Sequence, residues 1–370
     1  MVCIAAFIVL ILISVPALVL NLIGKRNKRV EKFVRPYFTM FKKAWYCVGR
    51  RVSFRKCDSN FKSEIKNSVL SKLVIKHHKW VRPVSVAIEV AAVLIVAVAI
   101  WSLAEVVKSG LSLYVYGTCN VAKPEACVLG DGEVCSTDAG EERNAFIGWF
   151  TEWGDVVSAI PARIKTWDAT EYIPDNANFY KYTTENPAAL DIFDPGCVNC
   201  LKSFNNQLAS DFFDKYNVAL LPYSIKDHSS ADGYKFPNSY LISSYIEAVR
   251  DFKTDEVPAP EWLIVQKLFT ESAPDLDVKL SYQQAFNGLA GLAGTPYSTE
   301  KARSTLHAWL SEFGYSEDII AQIAARADSA EVSSRLDQNR QIVDEKIQTK
   351  GIPTTIYDGH RHIGVLHFDK

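Results

Sequence analysis

Residues 188–212 read AALDIFDPGCVNCLKSFNNQLASDF, and this stretch decides how the second half of the chain folds. Its apolar start, Ala188–Phe193, is typical of a buried strand. After the pair Cys197-Val198-Asn199-Cys200, apolar residues recur at the spacing of one helix face, namely Leu201, Phe204, Leu208 and Phe212. The sequence therefore predicts a Cys-x-x-Cys pair between a strand and an amphipathic helix.

This placement puts the sulfur of Cys197 at a helix N-terminus, where unpaired N–H groups and the helix dipole favour a thiolate. Cys200 lies one turn further on, where it can close a disulfide with Cys197 or resolve a mixed one. We interpret the pair as a catalytic dithiol, with Cys197 as the nucleophile and Cys200 as the resolving thiol. A purely structural disulfide and half of a metal site are the alternatives. Zinc would need four ligands, and the candidate second pair is His360 and His362, two positions apart on a predicted strand.

The segment Gly351-Ile352-Pro353-Thr354 joins a long helical stretch to a β-branched, strand-like run. With the cysteine pair, it resembles the thioredoxin superfamily, in which a cis proline faces the dithiol. The resemblance implies that Ile352–Pro353 is that bond and that backbone groups there pair with an extended substrate segment. Cys200 and Pro353 lie 153 positions apart, and a mostly helical insertion of this kind is similar to the DsbA-like branch. An ordinary strand start is the alternative for Pro353.

Asp191 falls six residues before Cys197, where the DsbA-like branch often carries an acidic residue under the active site. The resemblance implies that Asp191 shuttles a proton to Cys200; a surface residue on the strand is the alternative. The dipeptide Val198-Asn199 departs from the Cys-Pro-His-Cys of strongly oxidising DsbA enzymes. The direction of electron flow therefore stays open.

The predicted fold class is α/β, a thioredoxin-like fold with an inserted helical subdomain, preceded by two transmembrane helices. The thioredoxin-like domain covers residues 178–370, with the helical insertion at about 226–330. Strands are predicted at 178–183, 188–193 and 218–225, and a closing hairpin at 354–357 and 362–367 turns at Asp358-Gly359. Helices are predicted at 198–216, 239–252, 260–271, 299–313, 316–327 and 329–349.

Charge and hydropathy divide the first 107 residues into three parts. Residues 1–23 and 84–107 are apolar and each is close to the ~20 residues that cross a bilayer as a helix. The basic segment 24–83 between them carries 18 Lys and Arg against 3 Asp and Glu, whereas the rest of the chain carries 23 against 39. By the positive-inside rule, residues 24–83 form a cytoplasmic loop of a two-pass protein. The N-terminus and everything beyond about Lys108 then lie outside the cell membrane.

Residues 108–177 are predicted to be a cysteine-containing linker and an amphipathic helix. Cys119, Cys127 and Cys135 are spaced eight residues apart. Either one internal disulfide joins two of them, or one of them is a redox partner of the Cys197–Cys200 pair. The apolar, tryptophan-rich stretch 144–167 either lies in the outer membrane interface or packs on the redox domain.

The sequence therefore predicts a membrane-anchored thiol–disulfide oxidoreductase that acts on thiols and disulfides of exported proteins and exchanges with an unidentified redox partner. The predicted site residues are Cys197, Cys200, Pro353, Ile352 and Asp191. No cofactor and no metal is expected beyond the dithiol. The basic loop is expected to contact anionic membrane lipids rather than nucleic acid. A non-catalytic client-binding module and an extracytoplasmic copper-handling protein, using the two cysteines and a histidine, are the alternative functions.

Overall fold

The computed structural model describes residues 81–119, 133–137, 145–276, 278–288 and 293–368. The chain divides into two compact units, Met1–Val107 and Lys108–Lys370. The predicted first membrane span and almost all of the basic loop lie outside the described residues. The second unit combines helices with a four-stranded sheet, so it has the mixed α/β character expected from the sequence.

A single long helix, α1, covers Val81–Tyr116. Within the described residues, the segment Val93–Tyr116 is the one helix long and apolar enough to cross a membrane, and little of it is buried. A core helix of a soluble protein passes the same test of length and composition. The predicted span at 84–107 lies within this helix, which continues over apolar residues up to Tyr116.

Six strands in the described part of the chain are numbered in chain order: β1 (Cys135–Ser136), β2 (Ala188–Phe193), β3 (Asn217–Pro222), β4 (Gly351–Ile352), β5 (Thr354–Tyr357) and β6 (His360–Ile363). Four of them form the central sheet, in the order β3-β2-β5-β6. Strand β2, Ala188–Phe193, runs parallel to β3, Asn217–Pro222, and antiparallel to β5, Thr354–Tyr357. Strand β6, His360–Ile363, pairs antiparallel with β5. Helices α4, Val198–Ala209, and α5, Phe212–Lys215, make the crossover between β2 and β3. Because β2 is covered on both faces, five of its six residues are buried, which explains the continuous apolar run in its sequence.

The inner face of α4 differs from the predicted one. Phe204 is buried as expected, but Leu208 is 39% exposed, and the polar side chains of Ser203 and Gln207 point inward instead. The helix ends at Ala209, and Phe212 is buried from the separate helix α5. The polar inner face exists because Gln207 Nε2 donates to Asp191 Oδ2 at 3.4 Å, a partner that helical periodicity cannot reveal.

The predicted strand at 178–183 is also wrong, since this segment makes only an isolated bridge, Phe179 to Ala219. The N–H of Asn178 donates to Glu261 Oε1 at 2.8 Å rather than to the sheet. Burial of that carboxylate therefore draws the segment away from regular pairing.

The helical subdomain follows β3 and contains helices that the sequence predicts closely, except for the short α8. Its helices are α6 (Ser239–Val249), α7 (Pro260–Thr270), α8 (Tyr282–Asn287), α9 (Thr299–Glu312), α10 (Glu317–Ala327) and α11 (Ala330–Gln341). A short 3₁₀ turn, Arg250–Phe252, follows α6, and a π-helical turn, Ile342–Ile347, follows α11. Serine side chains cap the starts of α8, α9 and α11, which fixes where these helices begin.

A buried ion cluster joins this subdomain to the sheet. The guanidinium of Arg250 donates to Glu247 Oε1 at 2.7 Å and to Glu261 Oε1 at 3.2 Å. A third bond, at 2.7 Å, runs to the carbonyl oxygen of Leu220 in β3. The side chains of Arg250 and Glu261 are fully buried, and that of Glu247 almost so. One arginine therefore pairs with both carboxylates while it fixes α6 and α7 against the sheet.

Helices α2, Ala145–Ser158, and α3, Ile160–Ile164, account for the tryptophan-rich stretch. On one side, Val156 and Ala159 are buried against Val115 and Tyr116. Other large apolar side chains of the two helices are more than half exposed: Ile147, Phe150, Val157 and Ile164. One side of the stretch thus packs on the end of α1 and on Ile363 of β6, while large apolar side chains on another side are exposed to solvent, so both sequence interpretations retain support.

Candidate active site

Cys197 is fully buried and is the N-cap residue of α4. Its N–H donates to the carbonyl oxygen of Asp194 at 3.0 Å, which closes the turn that joins β2 to the helix. Its sulfur is bonded to Cys135, 62 residues earlier in the chain, and not to Cys200. A linker cysteine is thus bonded to the Cys-x-x-Cys pair, as one of the two interpretations of the linker cysteines expects. Cys119 is disulfide-bonded as well.

Cys200 is a free, buried thiol in the first turn of α4. Its N–H donates to the carbonyl oxygen of Cys197, and its sulfur accepts from the N–H of Asp194 at 3.4 Å. Burial raises the pKa of the Cys200 thiol well above its usual range, although the Asp194 N–H partly opposes this shift. The negative charges of Asp194 and Asp191 raise it further. Cys200 is therefore a thiol, not a thiolate, at neutral pH.

Asp191 lies in the middle of β2 and is only 4% exposed, which excludes the alternative of a surface position. Its carboxylate accepts from Thr355 Oγ1 at 3.0 Å and from Gln207 Nε2. Burial raises the pKa of Asp191 to about 6, against the lowering effect of these two hydrogen bonds. A carboxyl group with this pKa can hold or release a proton near neutral pH, which is the property a proton shuttle needs.

The Ile352–Pro353 peptide bond is cis, and the carbonyl oxygen of Ile352 lies 3.6 Å from the sulfur of Cys197. As part of a disulfide, this sulfur has no hydrogen to donate, so the distance records proximity only. Ile352 is fully buried, and the carbonyl oxygen of Pro353 accepts from the N–H of Gly364 at 2.8 Å. The structure therefore brings four of the predicted site residues, Cys197, Cys200, Ile352 and Pro353, to one end of the sheet, with Asp191 beneath them in β2.

A two-stranded sheet that the sequence does not predict covers this end. Strand β1, Cys135–Ser136, pairs antiparallel with β4, Gly351–Ile352, and places Cys135 opposite Ile352. The N–H of Thr137 extends the pairing to the carbonyl oxygen of Lys350. This pairing carries the Cys135 sulfur to Cys197.

Asp194, which is not among the predicted site residues, is fully buried at the end of β2. Its carboxylate accepts from the N–H groups of Gly196 and Ile225, both at 2.7 Å, and from Ser239 Oγ at 2.5 Å. Burial raises the pKa of Asp194 to about 6 despite these bonds. Asp194 is thus a positioning residue for the turn that carries Cys197. The sequence signal was the turn-forming run Asp194-Pro195-Gly196 directly after a strand.

Gly196 completes this turn because no side chain fits there. A Cβ atom at Gly196 would lie 2.3 Å from Cβ of Phe236, far inside contact distance. The carbonyl oxygen of Gly196 accepts a hydrogen bond from Gln283 Nε2 of α8. The helical subdomain therefore touches the backbone directly beside the nucleophile.

Nothing in the described residues supports the metal alternative. No group of three or more His, Cys, Asp or Glu side chains among them could hold a metal ion. The ring of His362 stacks on Tyr357, with centroids 4.5 Å apart. Cys197 is in a disulfide and so is not a metal ligand in this state.

The raised pKa of Asp191 predicts a specific pH dependence of stability. Unfolded, the carboxyl titrates near 3.8; folded, it titrates near 6, so between these values the unfolded chain binds fewer protons. Stability should therefore fall as pH rises from about 4 to about 6, by about 3 kcal/mol from this residue. Asp191→Asn should remove this part of the fall, while Asp194 retains a similar contribution. Urea unfolding at pH 4 to 7 measures it.

The matched control is Asp211→Asn, which removes an exposed carboxylate paired with Lys215 and should leave the pH slope as it is. If the free energy of unfolding of Asp191→Asn changes with pH as steeply as that of the parent, the carboxyl of Asp191 does not have a raised pKa in the folded chain.

Comparison with family models and with curated proteins finds no match. Among solved structures, the chain is similar to the crystal structure of Proteus mirabilis ScsC in a transitional conformation. The identity is 11% and the TM-score 0.34, over 60% of this chain and 84% of that chain. A likeness of this size assigns no family. What the site itself provides is a buried pair of cysteines at the start of a helix in an α/β domain, one in a disulfide and the other a free thiol.

Proposed function

We propose that this chain is a thiol–disulfide oxidoreductase with a thioredoxin-like, DsbA-like domain. The observation that carries the proposal is the state of the two cysteines. Cys197, at the start of α4, holds another cysteine in a disulfide, while Cys200, one turn on, is a free thiol. This is the arrangement of a mixed disulfide at the nucleophilic cysteine before the resolving thiol has attacked it.

The order of elements supports the thioredoxin-like assignment. A strand leads into the cysteine pair and a helix, a parallel strand follows, and after the helical subdomain an antiparallel hairpin returns beside the first strand. The hairpin begins at the cis proline Pro353, next to Cys197. These are the features that the resemblance implies for the redox site.

The chemistry follows from the environment of each sulfur. The N-terminus of α4 stabilises Cys197 as a thiolate, both as the attacking group and as the leaving group. Cys200 must lose its proton before it attacks the mixed disulfide. Two buried carboxyls near it have a pKa of about 6; the carboxylate of Asp194 already accepts three hydrogen bonds that hold the turn, so Asp191 is the group proposed to take the proton. The new Cys197–Cys200 bond then releases the substrate thiol. Run in reverse, the same steps donate a disulfide, so the direction depends on the partner.

The proposed substrates are thiols and disulfides of exported proteins, and a separate redox partner recharges the dithiol. We place the domain outside the cell membrane, anchored by two spans. The apolar helix ending at Tyr116 supports the second span; the first rests on sequence alone. The basic residues between the spans favour contact with anionic lipids.

The test is a trapping experiment on the full chain in detergent or nanodiscs. In Cys135→Ser/Cys200→Ser, Cys197 is left without an internal resolving thiol. Incubation of the reduced variant with an oxidised model peptide should accumulate a covalent adduct, located at Cys197 by peptide mass mapping. Cys135→Ser alone, which keeps Cys200, should release the peptide. Absence of any adduct at Cys197 would favour a non-catalytic client-binding module.

A further inference from the structure

Residues 133–137 lie in an extended conformation across the end of the sheet that carries Cys197. Val134, Cys135, Ser136 and Thr137 are all buried. Burial of four consecutive residues shows that this short segment fills a groove. What the groove recognises can therefore be inferred from the contacts of its occupant.

The backbone of the segment is held as an added strand. Cys135 and Ser136 pair antiparallel with Ile352 and Gly351. At one end of the segment, the N–H of Thr137 donates to the carbonyl oxygen of Lys350 at 3.3 Å. At the other end, the carbonyl oxygen of Glu133 accepts from the N–H of Val365 at 3.2 Å. Main-chain bonds of this kind are independent of side-chain identity, so they give affinity for any extended peptide.

Val134 supplies the side-chain recognition. It packs where Gly351 and Gly364 leave room: a Cβ at Gly351 would lie 3.3 Å from Val134 Cβ, and one at Gly364 3.2 Å from Val134 Cγ1. Gly364 has a φ of 102°, a conformation that disfavours any side chain. The two glycines therefore form a shallow apolar site for a branched residue directly before the reactive cysteine.

Glu133 makes two ionic contacts beside this site. Its carboxylate lies 2.6 Å from His367 Nε2 and 3.6 Å from Lys202 Nζ. Both partners are about half exposed, so each contact adds little affinity. The acidic residue is a minor determinant and the branched apolar residue the major one.

We propose that residues 133–137 are a tethered occupant of the substrate groove, and that the groove selects extended peptides with a β-branched apolar residue immediately before the reactive cysteine. This rests on the proposed exchange function of Cys197. The Cys135–Cys197 bond locks the segment in the groove; once that bond is broken, the segment still docks there through its backbone and Val134, but reversibly.

Opening needs no external oxidant or reductant. The Cys200 thiolate attacks the Cys197 sulfur, so the Cys197–Cys200 bond forms as the Cys135–Cys197 bond breaks. Cys135 leaves as a thiolate and takes up one proton, which balances the proton lost by Cys200. The three cysteines together keep one disulfide throughout, and the strand 133–137 is then free to leave the groove to a substrate thiol.

The test compares peptides on the full-chain Cys135→Ser/Cys200→Ser variant. Capped Glu-Val-Cys-Ser-Thr, activated as a mixed disulfide with an aromatic thiol, should exchange with Cys197 and form a covalent adduct. Replacing its valine by aspartate should slow adduct formation at least about tenfold at subsaturating peptide, equivalent to about 1.4 kcal/mol. Replacing its glutamate by lysine should slow it less than about fivefold.

The outcomes separate the two proposals. Equal rates for the valine and aspartate peptides would overturn the selective groove and leave the exchange function intact. No reaction of Cys197 with any peptide would overturn the exchange function itself.

A second measurement tests the tethered segment in place. In the fully reduced chain, Val134→Asp should raise the rate at which a small maleimide labels Cys197, because the segment no longer docks. Val278→Asp, at a half-exposed position of the helical subdomain, is the matched control and should leave the rate unchanged. Equal labelling of the parent and Val134→Asp would show that the segment does not close the groove.

Discussion

Cys197→Ser is expected to lower the rate of thiol–disulfide exchange at least ~10³-fold, since loss of a nucleophile removes the whole covalent pathway. A serine hydroxyl stays protonated at neutral pH even at a helix N-terminus, so it cannot attack a sulfur. The deeply buried Cys200 has a raised pKa and cannot take over the reaction. The measurement is the initial rate of disulfide exchange with a fluorescent model peptide, at fixed glutathione potential.

The control for this variant is Cys57→Ser, a substitution of the same kind in the basic segment, which we place on the opposite side of the membrane. It should leave the rate within about twofold of the parent, since the proposed topology separates it from the exchange site by the membrane. Exchange that survives in Cys197→Ser would instead assign the chemistry to another cysteine.

Arg250→Ala is expected to destabilise the second unit by about 3–5 kcal/mol, the usual cost of leaving buried charge without its partner. Two carboxylates, Glu247 and Glu261, would lose their shared cation, and Leu220 would lose the hydrogen-bond donor to its carbonyl oxygen. The free energy of unfolding in urea, followed by tryptophan fluorescence in detergent, measures this loss.

Arg335→Ala provides the matched control. Arg335 pairs with Asp251 at 2.9 Å, but both side chains are about one quarter exposed, and such a pair contributes about 1 kcal/mol or less. Replacing the whole cluster together, as Arg250→Met/Glu247→Gln/Glu261→Gln, should recover part of the stability, because no buried charge is then left alone. A loss for Arg250→Ala no larger than that for Arg335→Ala would contradict the role of the cluster.

Local sequence patterns predict those parts of the site that are formed by residues close to one another in the chain. The strand Ala188–Phe193, the helix start at Cys197 and the turn at Asp358-Gly359 each depend on residues within a few positions of one another, although the strand after that turn is His360–Ile363 and not the predicted 362–367. Burial on both faces, N-terminal placement and turn chemistry all leave direct traces in residue order. The order of the amino acids is therefore enough to predict these parts of the site.

The contacts of Asp194 and the choice of disulfide could not be predicted in this way. Asp194 acts through Ile225 and Ser239, which lie 31 and 45 positions away. Similarly, Leu208 fits the apolar helix pattern but is exposed, because Gln207 finds its partner in the buried Asp191. A polar side chain can face the core when a residue distant in the chain supplies its hydrogen-bond partner. The spacing of apolar residues along a helix does not reveal that partner.

The sequence by itself determined the redox chemistry proposed for this site, through a cysteine pair placed between a strand and a helix, and the order of elements around it. Only the tertiary structure decided which cysteine forms the disulfide with Cys197. Three linker cysteines are equally spaced and chemically alike, so their order in the chain cannot rank them. The pairing of Cys135–Ser136 with Gly351–Ile352, more than 200 positions away, brings Cys135 within bonding distance of Cys197. A disulfide forms where the folded backbone places two sulfurs together, and that placement is a property of the whole domain.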